Sequence, residues 1–252
     1  MNFTVLRFDS IDSTNTEALK HARLGADEGL CIAARQQTAG RGRRGRNWVS
    51  PRDAGFYLSI VLRPQLDPET LPLITLATAI AVHDTLAEIG LKPDIKWPND
   101  ILVGEKKICG ILAETTETKE GLAIIVGIGI NLTSKRFPDD IAQSATSIEA
   151  ETGRAMKFST LETFLEQPLL KLVAYWYERL LEPGGAAVVR DEWASRSTYF
   201  SGKQVRVTLS NESFTGVTDG LEPNGALRIK RDDSQLAIVQ AGDVEKLRTD
   251  LD

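Results

Sequence analysis

Gly40-Arg41-Gly42-Arg43-Arg44-Gly45-Arg46, followed by Asn47 and Trp48, lies between two apolar runs, Gly29 to Gln36 and Phe56 to Leu62. Both runs read as strands. Four arginines and three glycines in seven residues suit neither helix nor strand, because glycine weakens both and adjacent like charges repel. The segment is therefore a loop joining two strands. With more than fifteen residues between the runs, it exceeds what a structural connection needs. Glycine lets backbone amides approach a ligand, and arginine offers a fixed fork of donors for phosphate or carboxylate, so an anion clamp fits. A solvated basic loop and an arginine-glycine RNA contact fit the same run, and the loop alone does not separate the three.

The 252 residues are 42% apolar and 26% charged, with a formal net charge of -5, which suits one large domain or a domain with a small satellite. Against that acidic balance, four clustered arginines indicate a local anion site and not a chain coated for nucleic acid. Cys31 and Cys109 lie far apart in apolar runs, which speaks against a disulfide framework and a Cys-rich zinc site. His21 and His83 are the two histidines, and neither has an H-x-x-x-H spacing. A zinc hydrolase is thereby rejected and a histidine triad unsupported; a packed or hydrogen-bonded role suits His83. Met1 to Asp9 lacks a charged n-region, and the run Leu71 to Val82 is too short to span a bilayer, so a soluble, cytoplasmic protein without membrane contact is expected.

Val5 to Phe8 has the character of a short strand. Thr14 with Glu17 three residues on predicts a capping box and a helix from Asn15 to Leu24, stopped at Gly25. Capping alone is the simpler role for Ser13 and Thr14, although amides at a helix start also bind polar ligands. Leu71 to Ile89, apolar almost all round and ended by Gly90, predicts a buried helix. Ile95-Lys96-Trp97-Pro98-Asn99-Asp100 reads as extended chain and a polar turn leading into a strand to Val103. Two further strands, Lys106 to Glu114 and Leu122 to Ile130, carry Gly110, Gly127 and Gly129. Glycine there costs stability unless something approaches the sheet closely, and a ligand lying across it would supply the reason. Phe158 to Leu181 predicts a helix kinked at Pro168, with Leu161, Phe164, Leu165, Leu169, Leu172, Tyr175 and Trp176 as its apolar stripe. Ala186 to Ser195 predicts a second, shorter helix. From Gly202, short alternating runs (Val205 to Leu209, Ser213 to Thr218, Leu227 to Lys230, Leu236 to Val239) and an Asn224-Gly225 hairpin signal predict a small barrel.

Five motifs then occur in order: Asp12-Ser13-Thr14-Asn15, Gln37 to Arg46 with Trp48, Lys96-Trp97-Pro98-Asn99-Asp100, Lys107-Ile108-Cys109-Gly110-Ile111-Leu112 and Gly127-Ile128-Gly129-Ile130-Asn131. Together they resemble the motifs of biotin protein ligases, and the likeness covers essentially the whole chain. It is similar to the short bacterial form. Members that double as repressors carry a winged helix-turn-helix ahead of the Ser-Thr-Asn motif, and with twelve residues before Ser13 no DNA binding is expected. The resemblance implies an α+β fold: a central mixed β-sheet flanked by helices, like that of class II synthetases, over residues 1–197, and a small C-terminal SH3-like β-barrel over 198–252.

The activity it implies is that of an ATP-dependent ligase. Biotin attacks ATP to give biotinyl-5′-AMP and pyrophosphate, and a lysine of a biotin carboxyl carrier protein or domain, as in acetyl-CoA carboxylase, takes the biotinyl group. Under that resemblance Ser13, Thr14, Asn15 and Gln37 serve the biotin head, Gly110 and Leu112 line its pocket, and Gly40 and Arg41 close on it. Arg41, Gly42, Arg43, Arg44, Arg46, Trp48, Asn99 and Asn131 belong to the ATP or adenylate end, with Trp48 as a wall for adenine and Asn131 near its polar edge. Lys107 bridges biotin carboxylate and α-phosphate. With Arg43 it completes the chemistry of the first step, and Asp100 is the candidate to orient or deprotonate the acceptor lysine in the second. Magnesium is expected with the triphosphate, without a resident carboxylate cage. Monomers and homodimers both occur among related enzymes, so a homodimer stays open. A lipoate-protein ligase of the same fold is the nearest alternative, disfavoured by the Gly-Arg-Gly-Arg-Arg-Gly run and Lys-Trp-Pro-Asn-Asp. An RNA-binding module is disfavoured by the acidic balance and the lack of a stacking aromatic array.

Overall fold

A computed structural model describes residues 1–135, 137–154, 158–209, 212–240 and 242–246. Its first sheet contains β1 (Thr4–Phe8), β2 (Leu30–Ala34), β3 (Gly55–Leu62), β4 (Pro93–Lys96), β5 (Asp100–Val103), β6 (Lys106–Thr118) and β7 (Gly121–Asn131), in the order β1-β2-β3-β7-β6-β5-β4. β1 pairs parallel with β2, and every other neighbour is antiparallel, so this is the mixed sheet expected.

The period-2 alternation of strand side chains sorts this sheet into two unlike faces. On one face Phe56, Leu58, Ile60 and Leu62 of β3 and Ile124, Val126, Ile128 and Ile130 of β7 enter the large core. That core is shared with α2 (Leu73–Glu88), α5 (Phe158–Leu181) and α6 (Gly185–Ser195), which pack on one another. On the other face, α1 (Thr14–Arg23) lays Ala18 and Ala22 against Ile32, Val61, Ala123 and Ile125. Two short helices, α3 (Asp139–Ala142) and α4 (Ile148–Thr152), follow β7. α2 buries residues all round its axis because it lies between the sheet and two further helices.

α5 runs unbroken through Pro168, and its stripe differs from the one expected. Leu165, Leu169, Val173, Trp176, Tyr177 and Leu180 are buried, while Phe164 and Tyr175 are 57% and 55% exposed. The buried set follows the three-and-four spacing of one helix face, whereas Phe164 and Tyr175 each point about 100° away from a buried neighbour. The side chain of Leu161 lies outside the described residues. The capping box is also absent. Ser13 is the N-cap and its side chain makes no capping bond, Thr14 is turned toward Gln37, and Glu17 pairs with Lys20 and His21.

The second sheet joins β8 (Ser201–Thr208), β9 (Ser213–Leu221), β10 (Leu227–Arg231), β11 (Leu236–Val239) and β12 (Asp243–Lys246), all antiparallel, in the order β11-β10-β9-β8-β12. It is a curled half-barrel, in keeping with the small C-terminal barrel expected, and among the described residues β11 and β12 are its edges. The Asn224-Gly225 turn joins β9 to β10, with Gly225 at φ +84°. It touches the first sheet through Trp97, whose Nε1 donates to Gly225 O at 2.9 Å.

The three strand glycines occupy two adjacent cross-strand rows on the α1 face: Tyr57, Gly129 and Gly110 in one, Ser59, Gly127 and Leu112 in the next. Close approach does explain them, but parts of the chain itself make it. A Cβ at Gly127 would stand 2.1 Å from Asn15 Oδ1, and one at Gly129 would stand 2.5 Å from Trp48 Nε1. Gly127→Ala should therefore overpack the row, costing about 1–3 kcal/mol and lowering the melting temperature by roughly 2–10 °C. Adding Asn15→Ala should recover part of that loss. A Gly127→Ala melting curve that superimposes on the wild-type one would show that Asn15 does not depend on this gap.

Candidate active site

The floor of the site is the glycine-bearing patch of β6 and β7 together with the first turn of α1. Ser13, Thr14 and Asn15 are all buried there. Asn15 sends Nδ2 to Glu114 Oε2 at 2.8 Å and to Leu112 O at 3.3 Å. Ser59 Oγ stands 2.6 Å from Asn15 Oδ1 and 2.8 Å from Thr14 Oγ1. Gln37 Oε1 accepts from the Thr14 amide at 2.8 Å and the Thr14 hydroxyl at 3.1 Å. Its Nε2 donates to Ser50 Oγ at 2.8 Å, and Ser50 in turn donates to Trp48 O at 3.0 Å.

Over this floor the arginine loop folds back on itself. The Gly42 amide donates to Arg46 O at 2.7 Å and the Trp48 amide to Gly40 O at 2.9 Å. The tip, Arg43–Gly45, is a turn of 3-10 helix in which Arg44 adopts φ +55°. Each arginine then reaches a different element. Arg41 Nη2 lies 2.6 Å from Glu114 Oε1 of β6. Arg43 donates to Asn99 Oδ1 at 3.2 Å, between β4 and β5, and to Gly242 O at 3.5 Å. Arg46 is paired with Asp243 of β12. Arg44 lies 3.6 Å from the same carboxylate and donates to Thr208 O at 3.3 Å. Combined with the bonds of the floor, the Arg41–Glu114 pair closes a ring of polar contacts: Arg41, Glu114, Asn15, Ser59, Thr14, Gln37, Ser50 and back to Trp48 at the far end of the loop.

Two cavities open between floor and loop. The smaller, about 130 Å³, is lined by Ser13, Thr14, Asn15, Gln37, Gly110 and Leu112, and also by Arg41, Gly42 and Arg43. The larger, about 650 Å³, is lined on one side by Asn131, Phe137 and Ser144 and on another by Lys96, Tyr199 and Lys203. Trp48, Asp100, Lys107 and Arg46 line both. Lys107 Nζ lies 2.6 Å from Asp100 Oδ1 and 5.2 Å from the centre of the Trp48 ring. Its backbone is held as well: the amide donates to Ser144 O at 2.9 Å, and its carbonyl accepts from the Thr146 amide at 2.9 Å and Asn131 Nδ2 at 3.4 Å. A lysine fixed at both ends, at the junction of two cavities, can bind two anions at once.

Burial lowers the Arg43 pKa from the usual arginine value, with Asp243 and Asp100 opposing the shift. The same desolvation raises the fully buried Cys109 thiol, Lys107 opposing, and pushes Cys31 up to about 12. Neither cysteine is a nucleophile at neutral pH. His83 contacts Asp84 at 2.9 Å on α2, away from both cavities.

Most of the residues singled out in the sequence are thus brought together. Gly40 and Arg44 are not among the cavity linings. A Cβ at Gly40 would stand 2.4 Å from Trp48 O, so its backbone packs against the loop's own far strand, and Arg44 faces the second sheet. Asn131 lines the larger cavity and not the smaller. Sequence reasoning missed Glu114, Ser59 and Asp243. Glu114 follows Leu112 by two residues on the same strand face, so alternation could have found it; Asp243 arrives on a strand with no such signal.

Residues 7–131 match the biotin/lipoate A/B protein ligase family, and residues 200–247 match the biotin protein ligase C terminal domain. The bifunctional ligase/repressor BirA of Bacillus spizizenii is 33% identical over 241 residues, covering 94% of this chain and 72% of that protein. The biotin-[acetyl-CoA-carboxylase] ligase of Paracoccus denitrificans is 36% identical over 226 residues, covering 87% and 91%. Among solved structures, the biotin protein ligase from Aquifex aeolicus in complex with biotin and ATP superposes with a TM-score of 0.81 at 27% identity, over 98% of this chain and 99% of that one. The chain belongs to the biotin/lipoate A/B protein ligase family and carries the C-terminal domain of its biotin protein ligases.

Proposed function

We propose that biotin occupies the smaller cavity and ATP the larger, that the two react at Lys107 to give biotinyl-5′-AMP, and that a carrier lysine then takes the biotinyl group. The observation that carries this reading is the position of Lys107, tied to Asp100 at 2.6 Å where the two cavities meet. Ser13, Thr14 and Gln37 present hydroxyl and amide groups suited to the ureido ring, and Gly110 and Leu112 give its apolar part a shallow bed. Trp48 and Asn131, on the larger cavity, suit the face and polar edge of adenine.

Carboxylate attack on an α-phosphate brings two anions together, a repulsion of about 4 kcal/mol per unit-charge pair at 4 Å in an effective dielectric near 20. Lys107, Arg41 and Arg43 lie where they offset it and stabilise the charge that develops. An anion entering this site exchanges with Glu114 for Arg41, and shares Lys107 with Asp100. Magnesium would arrive with the triphosphate: no group of three His, Cys, Asp or Glu able to hold a metal is found among the described residues, and no step here runs through a resident ion. In the second step about one acceptor amine in a few thousand is neutral at pH 7, from a lysine pKa near 10.4. Asp100 holds Lys107 and, through the same carboxylate, meets the incoming amine. The unit 1–197 would carry both reactants, with 198–252 closing over them. No helix among the described residues is long and apolar enough to cross a membrane, and a cytoplasmic location follows from ATP and the carrier as substrates.

Biotin and ATP together should raise the melting temperature well beyond the sum of their separate effects, because the adenylate once formed binds both cavities; lipoate with ATP should not. Stabilisation by lipoate and ATP in place of biotin would transfer the reading to the lipoate branch. Lys107→Ala should lower biotin-dependent ATP–pyrophosphate exchange by at least about 100-fold with an unchanged circular dichroism spectrum; exchange retained in that variant would remove Lys107 from the first step. Arg43→Gly should free one side of the loop and shorten adenylate retention on gel filtration, and retention equal to wild type would dismiss the clamp.

A further inference from the structure

Glu114 lines neither cavity, and the proposed chemistry gives its charge no task beyond holding Arg41. Its two oxygens nevertheless do different things. Oε1 lies 2.6 Å from Arg41 Nη2, and Oε2 accepts from Asn15 Nδ2 at 2.8 Å. A carboxylate has no hydrogen to give, so it turns the Asn15 side chain one way round: the amide nitrogen faces Glu114 and Leu112 O, and the amide oxygen faces Ser59.

Proton counting carries that choice further. Asn15 Oδ1 can only accept, so the hydroxyl of Ser59, 2.6 Å away, gives its hydrogen there. Ser59 is buried and has one hydrogen. Toward Thr14 Oγ1, at 2.8 Å, it can then only accept. The other arm of the ring arrives at Thr14 with the same sign. Ser50 donates to Trp48 O at 3.0 Å and accepts from Gln37 Nε2 at 2.8 Å, which leaves Gln37 Oε1 turned toward Thr14. The single hydrogen of the Thr14 hydroxyl thus stands between two groups that only accept, Ser59 Oγ at 2.8 Å and Gln37 Oε1 at 3.1 Å. None is left for a ligand. What Thr14 offers the smaller cavity, which it lines, is a lone pair.

We infer that Glu114 is a positioning residue that sets the hydrogen-bond direction of the floor, and so makes Thr14 select a ligand carrying an N–H at that point. This rests on the biotin reading and deepens it: one of the two ureido N–H groups meets Thr14 Oγ1. A ring with an ether oxygen in its place sets lone pair against lone pair, which leaves a buried acceptor unpaired. Without the carboxylate the order is no longer imposed. Once Asn15 turns over, Ser59 accepts from Nδ2 and donates to Thr14, and the Thr14 hydrogen is released to meet an acceptor on the ligand. Glu114 thereby acts on specificity through three side chains without touching the substrate.

Glu114→Gln keeps the shape but has one acceptor oxygen where two are needed, so it cannot accept from Arg41 and Asn15 together. The probes are biotin and its two cyclic carbamate analogues, in each of which one ureido N–H is replaced by a ring oxygen. Binding to the whole chain is measured by calorimetry. All three probes share the valeryl carboxylate, so any disturbance of Arg41 cancels in the ratio of affinities. Wild type should bind one of the analogues at least about 100-fold more weakly than biotin. Glu114→Gln should narrow that gap to about tenfold, with an unchanged circular dichroism spectrum. Thr14→Val removes the lone pair, and adding Glu114→Gln to it should leave the gap where Thr14→Val alone puts it, because the acid acts through that hydroxyl. A uniform drop in all three affinities, as for a merely structural role, would overturn the inference, as would an equal narrowing in the Thr14→Val background. Equal binding of the three probes by wild type would overturn selection by Thr14 while leaving biotin as the ligand; failure of wild type to bind any of them would overturn the biotin reading itself.

Discussion

Arg41, Arg43, Arg46 and Lys107 crowd against one side of a sheet, and like charges so placed repel by several kcal/mol unless acceptors are supplied among them. Each acceptor comes from a different element: Glu114 from β6, Asn99 from the turn before β5, Asp243 from β12 and Asp100 from β5. No neighbouring stretch of the loop could do this, because its own residues are glycine and arginine. The loop is ordered by the fold around it. Partly exposed ion pairs of this kind contribute on the order of 0–1 kcal/mol each, so they keep the cations in place without preventing exchange. A carboxylate or phosphate competes with one protein acceptor at a time.

The floor obeys a steric version of the same rule. Asn15 must lie close to the sheet to reach both Ser59 and Glu114, and Trp48 must lie close to line both cavities. Only rows without Cβ atoms permit it. Gly127 and Gly129 are thus fixed by the side chains above them, which are in turn fixed by the polar ring that begins and ends in the arginine loop. Sequence, packing and electrostatics meet in the same few residues there.

That meeting also sets how far the site could be read from the residues alone. The loop between two strands, the buried α2 and the strands carrying Gly110 and Gly127 follow from local composition and alternation, and they lie where those signals put them. The strand glycines were legible as points of close approach, but the approaching bodies, Asn15 and Trp48, come from segments far along the chain. Thr14 and Glu17 have the spacing of a capping box, yet the half-buried Gln37 Oε1 accepts from both the Thr14 amide and its hydroxyl, which draws both groups away from a cap. Phe164 and Tyr175 look like core by apolarity and fail by angle. β12 had no hairpin signal of its own, and the value of Asp243 lies wholly in what β8 places beside it.

The second sheet follows from these contacts as part of the site. Gly225 O accepts from Trp97, two residues before the asparagine that holds Arg43; Gly242 O accepts from Arg43 itself; and Asp243 holds Arg46. Three of the contacts that order the turn and the loop therefore cross from one sheet to the other. Loosening the half-barrel would remove the acceptor of Arg46 and one acceptor of Arg43 together, and the repulsion among the remaining cations would then favour an open loop. Docking of the second sheet and the order of the arginine loop therefore rest on the same few contacts.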